Sequence, residues 1–203
     1  MNSIKVHTQP FHYLEIINLW DEVEKKEMLD EMLHLEKKGI FKNPEDTGAA
    51  VNEDGVVLKK NKAIYIDEVW TDRSFSNILK HNRKIFDVLD NSLIKESWFF
   101  DGLYTNLDTT MVSYYEDSDY YKPHRDKVKA TAVSWFFKEP QKFTGGSLTF
   151  TDYNLTFEVS NDLVIIFPSN IKHEVSKISI NPEHKGKQNG RFCMSQFLNA
   201  TCL

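Results

Sequence analysis

The stretch that decides the fold is YKPHRDK, residues 121–127, together with a later stretch, IIFPSNIKHEV, residues 165–175. His124 and Asp126 are two residues apart, so on an extended segment their side chains point the same way. His173 ends a strongly apolar run after a Pro-Ser-Asn turn, where a neighbouring strand can bring it beside the pair. Two imidazoles and one carboxylate form the facial triad typical of non-haem iron(II). The two stretches therefore predict a metal site on paired strands.

An H-x-D tripeptide is common and does not by itself identify a metal site. HRD also opens the catalytic loop of protein kinases, but that pattern requires Asn five residues after the Asp, where this chain has Thr131. The kinase interpretation therefore fails. The remaining histidines lie in the helical half or in a polar turn and are interpreted as surface or core residues: His7, His12, His34, His81 and His184.

The chain around the triad is rich in short β-branched and aromatic segments, which are typical of strands. About eight such strands follow Ser97: SWFFDGL, TTMVSYY, KATAVSWFF, GSLTFT, NLTFEV, DLVIIFP, HEVSKISI and RFCMSQFL. Their spacing predicts an antiparallel double-sheet roll with helices packed on one sheet.

The first half of the chain has apolar residues at a spacing that predicts helices. Helically spaced apolar residues predict an amphipathic helix from Tyr13 to about Lys38. A polar, turn-rich stretch from Lys42 to Lys62 predicts a mobile loop, and AIYIDEVW (63–70) a strand. Asp72 or Ser74 is expected to cap a second helix that runs to about Lys95.

Length and composition fit one soluble domain. The chain has 203 residues, of which 40% are hydrophobic and 13% aromatic, and its net charge is -5. We expect a single domain over 1–203. Within it, residues 1–96 would provide helical support and a substrate loop, and residues 97–203 the β core. The charge argues against a nucleic-acid partner. Without a signal peptide or an apolar span, we expect a cytoplasmic protein with no membrane partner. Cys193 and Cys202 are expected to be unpaired thiols.

A buried cation is predicted at Arg191, which opens the last strand. On an extended segment Arg191, Cys193 and Ser195 share one face, so an inward guanidinium needs an anion. The C5 carboxylate of 2-oxoglutarate, bound bidentately, would supply it. The alternative is an arginine at a strand end that reaches into water.

Together these motifs resemble the Fe(II)/2-oxoglutarate-dependent oxygenase superfamily, in its prolyl-4-hydroxylase-like branch, over roughly residues 97–199. The resemblance lies in SYYEDSDYYKPHRD (113–126), FTGGSLTF (143–150), IIFPSNIKHEV and GRFCMSQFL (190–198). It implies a double-stranded β-helix, a jelly-roll or cupin-like fold that is mainly β with N-terminal helices. It also implies iron ligation by His124, Asp126 and His173, and co-substrate binding by Arg191 and Tyr115.

The resemblance implies hydroxylation of an unactivated C–H bond, with dioxygen consumed, 2-oxoglutarate decarboxylated to succinate, and ascorbate as a possible reductant. The substrate would be a small molecule or a peptide, with peptidyl proline one candidate. By analogy, the loops at 42–62 and 117–121 would cover it. Asp126 favours hydroxylation, since related halogenases replace this carboxylate with a small residue. The sequence does not predict the oligomeric state.

Some features depart from the family pattern. Ser118 stands where the turn usually has Gly, Cys193 stands where many relatives have Ser or Thr, and the insert at 180–190 is interpreted as an extended hairpin loop. Two alternatives stay open: a non-catalytic, cupin-like metal- or ligand-binding roll, and a nucleic-acid demethylase on the same fold. The latter branch carries a second Arg where this chain has Phe197.

Overall fold

A computed structural model of the chain describes residues 3–201. The strands in this range are β1 (Ser3–His7), β2 (Tyr13–Ile17), β3 (Lys59–Lys60), β4 (Lys62–Tyr65), β5 (Leu107–Tyr115), β6 (Tyr120–His124), β7 (Ala130–Phe136), β8 (Phe143–Thr144), β9 (Leu148–Phe150), β10 (Leu155–Phe157), β11 (Leu163–Pro168), β12 (His173–Val175), β13 (Ser179–Ile180) and β14 (Arg191–Asn199). The α-helices are α1 (Glu22–Lys37), α2 (Ile66–Val69), α3 (Asn77–His81), α4 (Lys84–Leu89) and α5 (Trp98–Asp101). Short 3₁₀ turns lie at Pro44–Thr47, Arg73–Phe75, Ser92–Glu96 and Pro182–His184.

The strands form two main antiparallel sheets. The major sheet has the order β1-β2-β11-β7-β14-β5-β4, and the minor sheet has the order β10-β9-β12-β6-β3. A small third sheet pairs β13 with β8. This mostly β architecture is consistent with a jelly-roll-like fold, as the sequence predicts, and its finer assignment as a double-stranded β-helix stays a prediction.

Successive side chains of β11 point alternately to the two faces of the major sheet, and this shows how the layers are stacked. Val164 and Ile166 pack in one core with Met28 and Met32 of α1, so this face of the major sheet lies under the helix. Their neighbours point to the other side, where Phe167 packs in a second core with Phe150 of the minor sheet. The site described below lies in the second core, between the sheets.

The predicted helix from Tyr13 to Lys38 is wrong over its first part. Residues Tyr13–Ile17 form β2, which pairs with both β1 and β11. Asn18 then turns the chain with a positive φ of 56°. The helix begins only at Glu22, because Asp21 accepts hydrogen bonds from the first-turn amides and Glu24 closes a capping box. Strand β2 has apolar residues at a spacing that also suits a helix, and for this reason the sequence pattern predicts a helix there incorrectly.

The predicted second helix is divided into short helical pieces by side-chain caps. Asp72 accepts a hydrogen bond from the Ser74 amide, as predicted, but it caps only the turn Arg73–Phe75. Ser76 starts α3 by accepting from the Leu79 amide, and Asn91 starts the turn at Ser92–Glu96 by accepting from the Leu93 amide. Ser97 caps α5 in the same way, so SWFFDGL is helical and not a strand. The strand predicted at 63–70 ends at Tyr65, where α2 begins.

Three further features differ from the sequence prediction. HEVSKISI divides into β12 and β13, whereas YYKPH forms β6, the extended segment that the spacing of His124 and Asp126 predicts. Because β13 pairs with β8 while β14 lies in the major sheet, the insert at 180–190 crosses between sheets and is not a hairpin loop. The first 96 residues add four strands to the two main sheets as well as helices. Within residues 3–201, none of the helices has the length and apolar character needed to span a membrane.

Candidate active site

The paired strands β6 and β12 bring the predicted metal ligands together. His124 and His173 are directly opposite each other in the antiparallel register, with ring centroids 4.3 Å apart. Asp126 lies just beyond β6, with its carboxylate oxygens 3.8 Å from His124 Nε2 and 3.7 Å from His173 Nε2. One ligand atom from each residue fits within 4.8 Å of the others. In residues 3–201 this is the one such cluster of potential metal ligands, and the other histidines lie outside it.

Hydrogen bonds orient both imidazoles for metal binding. Nδ1 of His124 lies 2.9 Å from the Lys122 carbonyl oxygen, and Nδ1 of His173 lies 2.9 Å from that of Ile171. A carbonyl oxygen can only accept, so each Nδ1 carries the proton and each Nε2 keeps its lone pair for a metal. Burial, together with the neighbouring His173, lowers the pKa of His124 to about 3. The His124 ring is therefore neutral at physiological pH, as a metal ligand must be.

The third ligand is held by a hydroxyl pair. Thr131 on β7 donates its hydroxyl to Asp126 Oδ2 at 2.8 Å, and its oxygen lies 2.9 Å from the Ser169 hydroxyl. The Asp126 amide also donates to the Ser169 carbonyl at 2.9 Å. These bonds fix the carboxylate in the orientation that faces the two imidazoles.

We expect Thr131→Val to weaken metal binding about tenfold, since partners that orient a ligand typically contribute 10–100-fold. The substitution keeps the shape and removes only the hydroxyl that Asp126 accepts from. Calorimetric titration of Fe(II) under anaerobic conditions measures the effect. Thr149→Val, which removes a hydroxyl paired with Thr156 at the surface of the minor sheet, is the control. Equal affinities in the two variants would contradict the orienting role of Thr131.

Arg191 is buried without an anion. Its relative exposure is 0%, and all three guanidinium nitrogens lack a hydrogen-bond partner among residues 3–201. It is opposite Tyr115 in the β14–β5 register, and its Cζ lies 4.2 Å from the Tyr115 ring centroid. A buried charge without a partner is strongly unfavourable, and a carboxylate satisfies a guanidinium in two parallel hydrogen bonds. The interpretation of Arg191 as an arginine that reaches into water is therefore excluded.

Gly146 explains why the Gly-Gly pair precedes β9. A Cβ at this position would lie 2.7 Å from Arg191 Nε, and its φ of +78° is in the left-handed region. Only glycine meets both conditions without strain. Ser118 has a φ of 68°, which accounts for the glycine that the resemblance leads us to expect there.

Tyr115 lies beside Arg191 and lines the cavity in front of the triad. Burial raises the pKa of its phenol well above the ordinary value, so the hydroxyl stays protonated and can donate a hydrogen bond. Cys193, a free and buried thiol, lines the same cavity. Cys202 lies outside the described residues.

The cavity between the sheets has a volume of about 80 Å³, and it shares wall residues, His124 and Asp126 among them, with an outer cleft of about 660 Å³. Thr47, Gly48 and Ala49, from the loop at 42–62, line the cavity wall. Tyr121, at the end of the stretch 117–121, lies on β6 and lines both spaces, and its ring stacks on that of His124 at 3.5 Å. The loop at 42–62 therefore contributes a wall to the site, whereas residues 117–120 line neither space.

Lys59 is a cavity residue that sequence reasoning missed. It lies on β3, is only 4% exposed, and lines the cavity with the triad. Burial lowers the pKa of its ammonium to about 8. The stretch LKKNK resembles a solvated turn, and nothing in its composition shows that β3 pairs with β6 and directs one lysine inward.

Neither a family model nor a curated protein matches the chain. Among solved structures, the fold is similar to that of a prolyl-4-hydroxylase from Pseudomonas putida, with a TM-score of 0.65 and 15% identity over 94% of this chain and 93% of that one. It is also similar to that of a viral collagen prolyl hydroxylase from Paramecium bursaria Chlorella virus-1, with a TM-score of 0.59 and 14% identity over 93% of this chain and 96% of that one. A third similar structure is the dioxygenase for auxin oxidation 1 from Arabidopsis thaliana, with a TM-score of 0.57 and 13% identity over 94% of this chain and 84% of that one. The last two are complexes with 2-oxoglutarate. The chain therefore shares its fold with these three proteins along almost its whole length.

Proposed function

We propose that the protein is an Fe(II)- and 2-oxoglutarate-dependent oxygenase that hydroxylates an unactivated C–H bond. The observation that carries the proposal is Arg191, whose guanidinium is fully buried with no anion against Tyr115, a residue that lines the same cavity as the triad. A metal-binding roll without catalysis has no need of this cation. A bound dicarboxylate co-substrate would satisfy it.

His124, Asp126 and His173 would hold the iron. Two neutral imidazole nitrogens and one carboxylate are the ligand set of non-haem iron(II) enzymes, and three protein ligands leave further coordination positions open. The hydrogen bonds from Nδ1 to backbone carbonyls already direct each Nε2 into the cavity. The donor set therefore fits the metal without a change of tautomer.

Arg191 and Tyr115 would hold the co-substrate. The guanidinium would bind the C5 carboxylate in two hydrogen bonds, and the protonated phenol would add a donor at the same end. Iron and 2-oxoglutarate, when bound, supply the oxidation: one atom of dioxygen goes into succinate as carbon dioxide leaves, and the other becomes the hydroxyl of the product. The chain itself positions the reactants and limits access of water.

The outer cleft would bind the substrate. Its volume of about 660 Å³ is within the range of ligand pockets, and it reaches both His124 and Asp126. Aromatic side chains at its mouth, Tyr65 and Phe197, offer apolar contact. A peptide or a small molecule would fit, and the fold makes peptidyl proline the first candidate to test. The loop at 42–62 would close over it.

The carboxylate of Asp126 supports hydroxylation over halogenation, because it takes the coordination position that a halide needs. We expect no chlorinated product from the unmodified protein in chloride buffer. Such a product, found by mass spectrometry, would overturn this part of the proposal.

The proposed function is tested by incubating the protein with Fe(II), 2-oxoglutarate, ascorbate and air, together with proline-rich peptides or a metabolite extract. We expect succinate to form and one component to gain the mass of one oxygen atom, and both signals to vanish in His173→Ala protein. If the iron-loaded protein forms no more succinate than this variant, the protein is not an oxygenase of this class.

A further inference from the structure

The cavity contains a second buried cation that the proposed function does not use. Lys59 and Lys60 are adjacent on β3, but their side chains differ in surroundings. Lys60 is exposed, with its Nζ 2.5 Å from the Ser118 hydroxyl and 3.4 Å from Asp119 Oδ1. Lys59 is buried, and its Nζ has no hydrogen-bond or ion-pair partner in residues 3–201; it lies 5.6 Å from the Tyr121 ring centroid. A buried ammonium with only an aromatic neighbour lacks a counter-charge.

Lys59 and Arg191 face different ends of the cavity. The Lys59 ammonium lies over the Tyr121 ring, and that ring stacks on the His124 ring with centroids 3.5 Å apart, so Lys59 is near the metal ligands. The Arg191 guanidinium instead lies over the ring of Tyr115, which is on β5 of the other main sheet. Asp126 does not neutralise either cation once a divalent metal is bound, because the metal takes up its negative charge.

A second buried polar group lies on the same segment. Asn61, two residues after Lys59, is buried with its amide beside the Tyr115 phenol, and the amide makes no other hydrogen bond within residues 3–201. Residues two apart on an extended segment share a face. The segment 59–61 therefore directs Lys59 into the cavity that the triad lines, and directs Asn61 to Tyr115, the neighbour of Arg191.

We propose that Lys59 binds a carboxylate at the metal end of the cavity, so that two fixed cations, Lys59 and Arg191, hold the two carboxylates of one 2-oxo dicarboxylic acid. The inference rests on the proposed function. Arg191 binds the distal C5 carboxylate, and Lys59 binds the C1 carboxylate next to the metal-chelating oxo group. A lysine is suited to this position, because its compact charge needs no fixed fork geometry beside the metal.

The test compares two acids that share the chelating end. Affinities of 2-oxoglutarate and of 2-oxopentanoate, which lacks the C5 carboxylate, are measured by calorimetry on anaerobic, Fe(II)-loaded protein. We expect Lys59→Met to weaken both acids by the same factor, about tenfold. Arg191→Met should weaken 2-oxoglutarate and leave 2-oxopentanoate nearly unchanged. Lys60→Met, which alters only the exposed lysine, should change neither.

Thermal melting keeps the test independent of folding defects. Because Lys59→Met removes a buried ammonium with no counter-charge, the ligand-free variant should melt at or above the wild-type temperature. Lys59→Gln serves as a second variant if the methionine protein does not fold. Unchanged affinities for both acids in a folded variant, or a loss confined to 2-oxoglutarate, would overturn the assignment of Lys59 to the metal end. Failure of the wild-type protein to bind either acid would overturn the proposed function itself.

Discussion

Alanine at His124, Asp126 or His173 is expected to reduce Fe(II) affinity by more than about a hundredfold and to abolish nearly all 2-oxoglutarate turnover. Each substitution removes one of three protein ligands, and even partners outside the coordination shell typically contribute 10–100-fold. The measurement is anaerobic Fe(II) titration followed by succinate release under air. We expect all three variants to stay folded, because the site lies at the mouth of the cavity between sheets that are otherwise intact.

His184→Ala is the matched control. This histidine lies in the turn Pro182–His184, with its Nε2 3.4 Å from Glu183, away from the triad. If His173→Ala kept wild-type affinity and turnover while His184→Ala lost both, the distal ligand would have been assigned wrongly.

Arg191→Ala is expected to weaken 2-oxoglutarate binding by roughly ten- to a hundredfold. A charge-assisted, bidentate contact contributes about 1.5–3 kcal/mol, and each factor of ten in affinity corresponds to about 1.4 kcal/mol. Arg191→Lys keeps the charge and loses the fork, so its affinity should fall between wild type and Arg191→Ala. Fe(II) affinity should be unchanged in both variants, because Arg191 is not among the clustered ligands.

Lys185→Ala is the control for charge alone. This lysine lies in the loop before β14, but its Nζ pairs with Asp117 Oδ2 at 2.7 Å. Wild-type 2-oxoglutarate affinity in folded Arg191→Ala protein would refute the role of Arg191 and direct attention to Lys59 as the main carboxylate ligand.

The candidate site was predictable because its signals are local. The spacing of His124 and Asp126 needs only an extended backbone, and the apolar run before His173 identifies a buried strand whatever its partner. Arg191 was predictable from the face it shares with Cys193, and the structure brings it, as expected, next to Tyr115. The roles of these residues in binding iron and co-substrate stay predictions until they are measured.

Lys59 could not be predicted, because its burial depends on pairing between β3 and β6, which are about sixty residues apart in the sequence. The helix predicted over Tyr13–Ile17 is wrong for a related reason. The strand conformation of this segment comes from insertion between β1 and β11, and this tertiary context overrides an ambiguous apolar spacing. SWFFDGL has strand-like composition, but the Ser97 cap and the contact of Phe100 with the helical core make it a helical turn.

The measurement that tests the central claim most directly is addition of 2-oxoglutarate to anaerobic, Fe(II)-loaded protein while the visible absorption spectrum is followed. Chelation of iron by a 2-oxo acid produces a metal-to-ligand charge-transfer band. Our account predicts that this band appears with saturable, stoichiometric binding in wild-type protein, needs higher 2-oxoglutarate concentrations in Arg191→Ala protein, and is absent in His173→Ala protein. A wild-type protein that binds Fe(II) tightly but shows no such band at saturating 2-oxoglutarate would contradict the account.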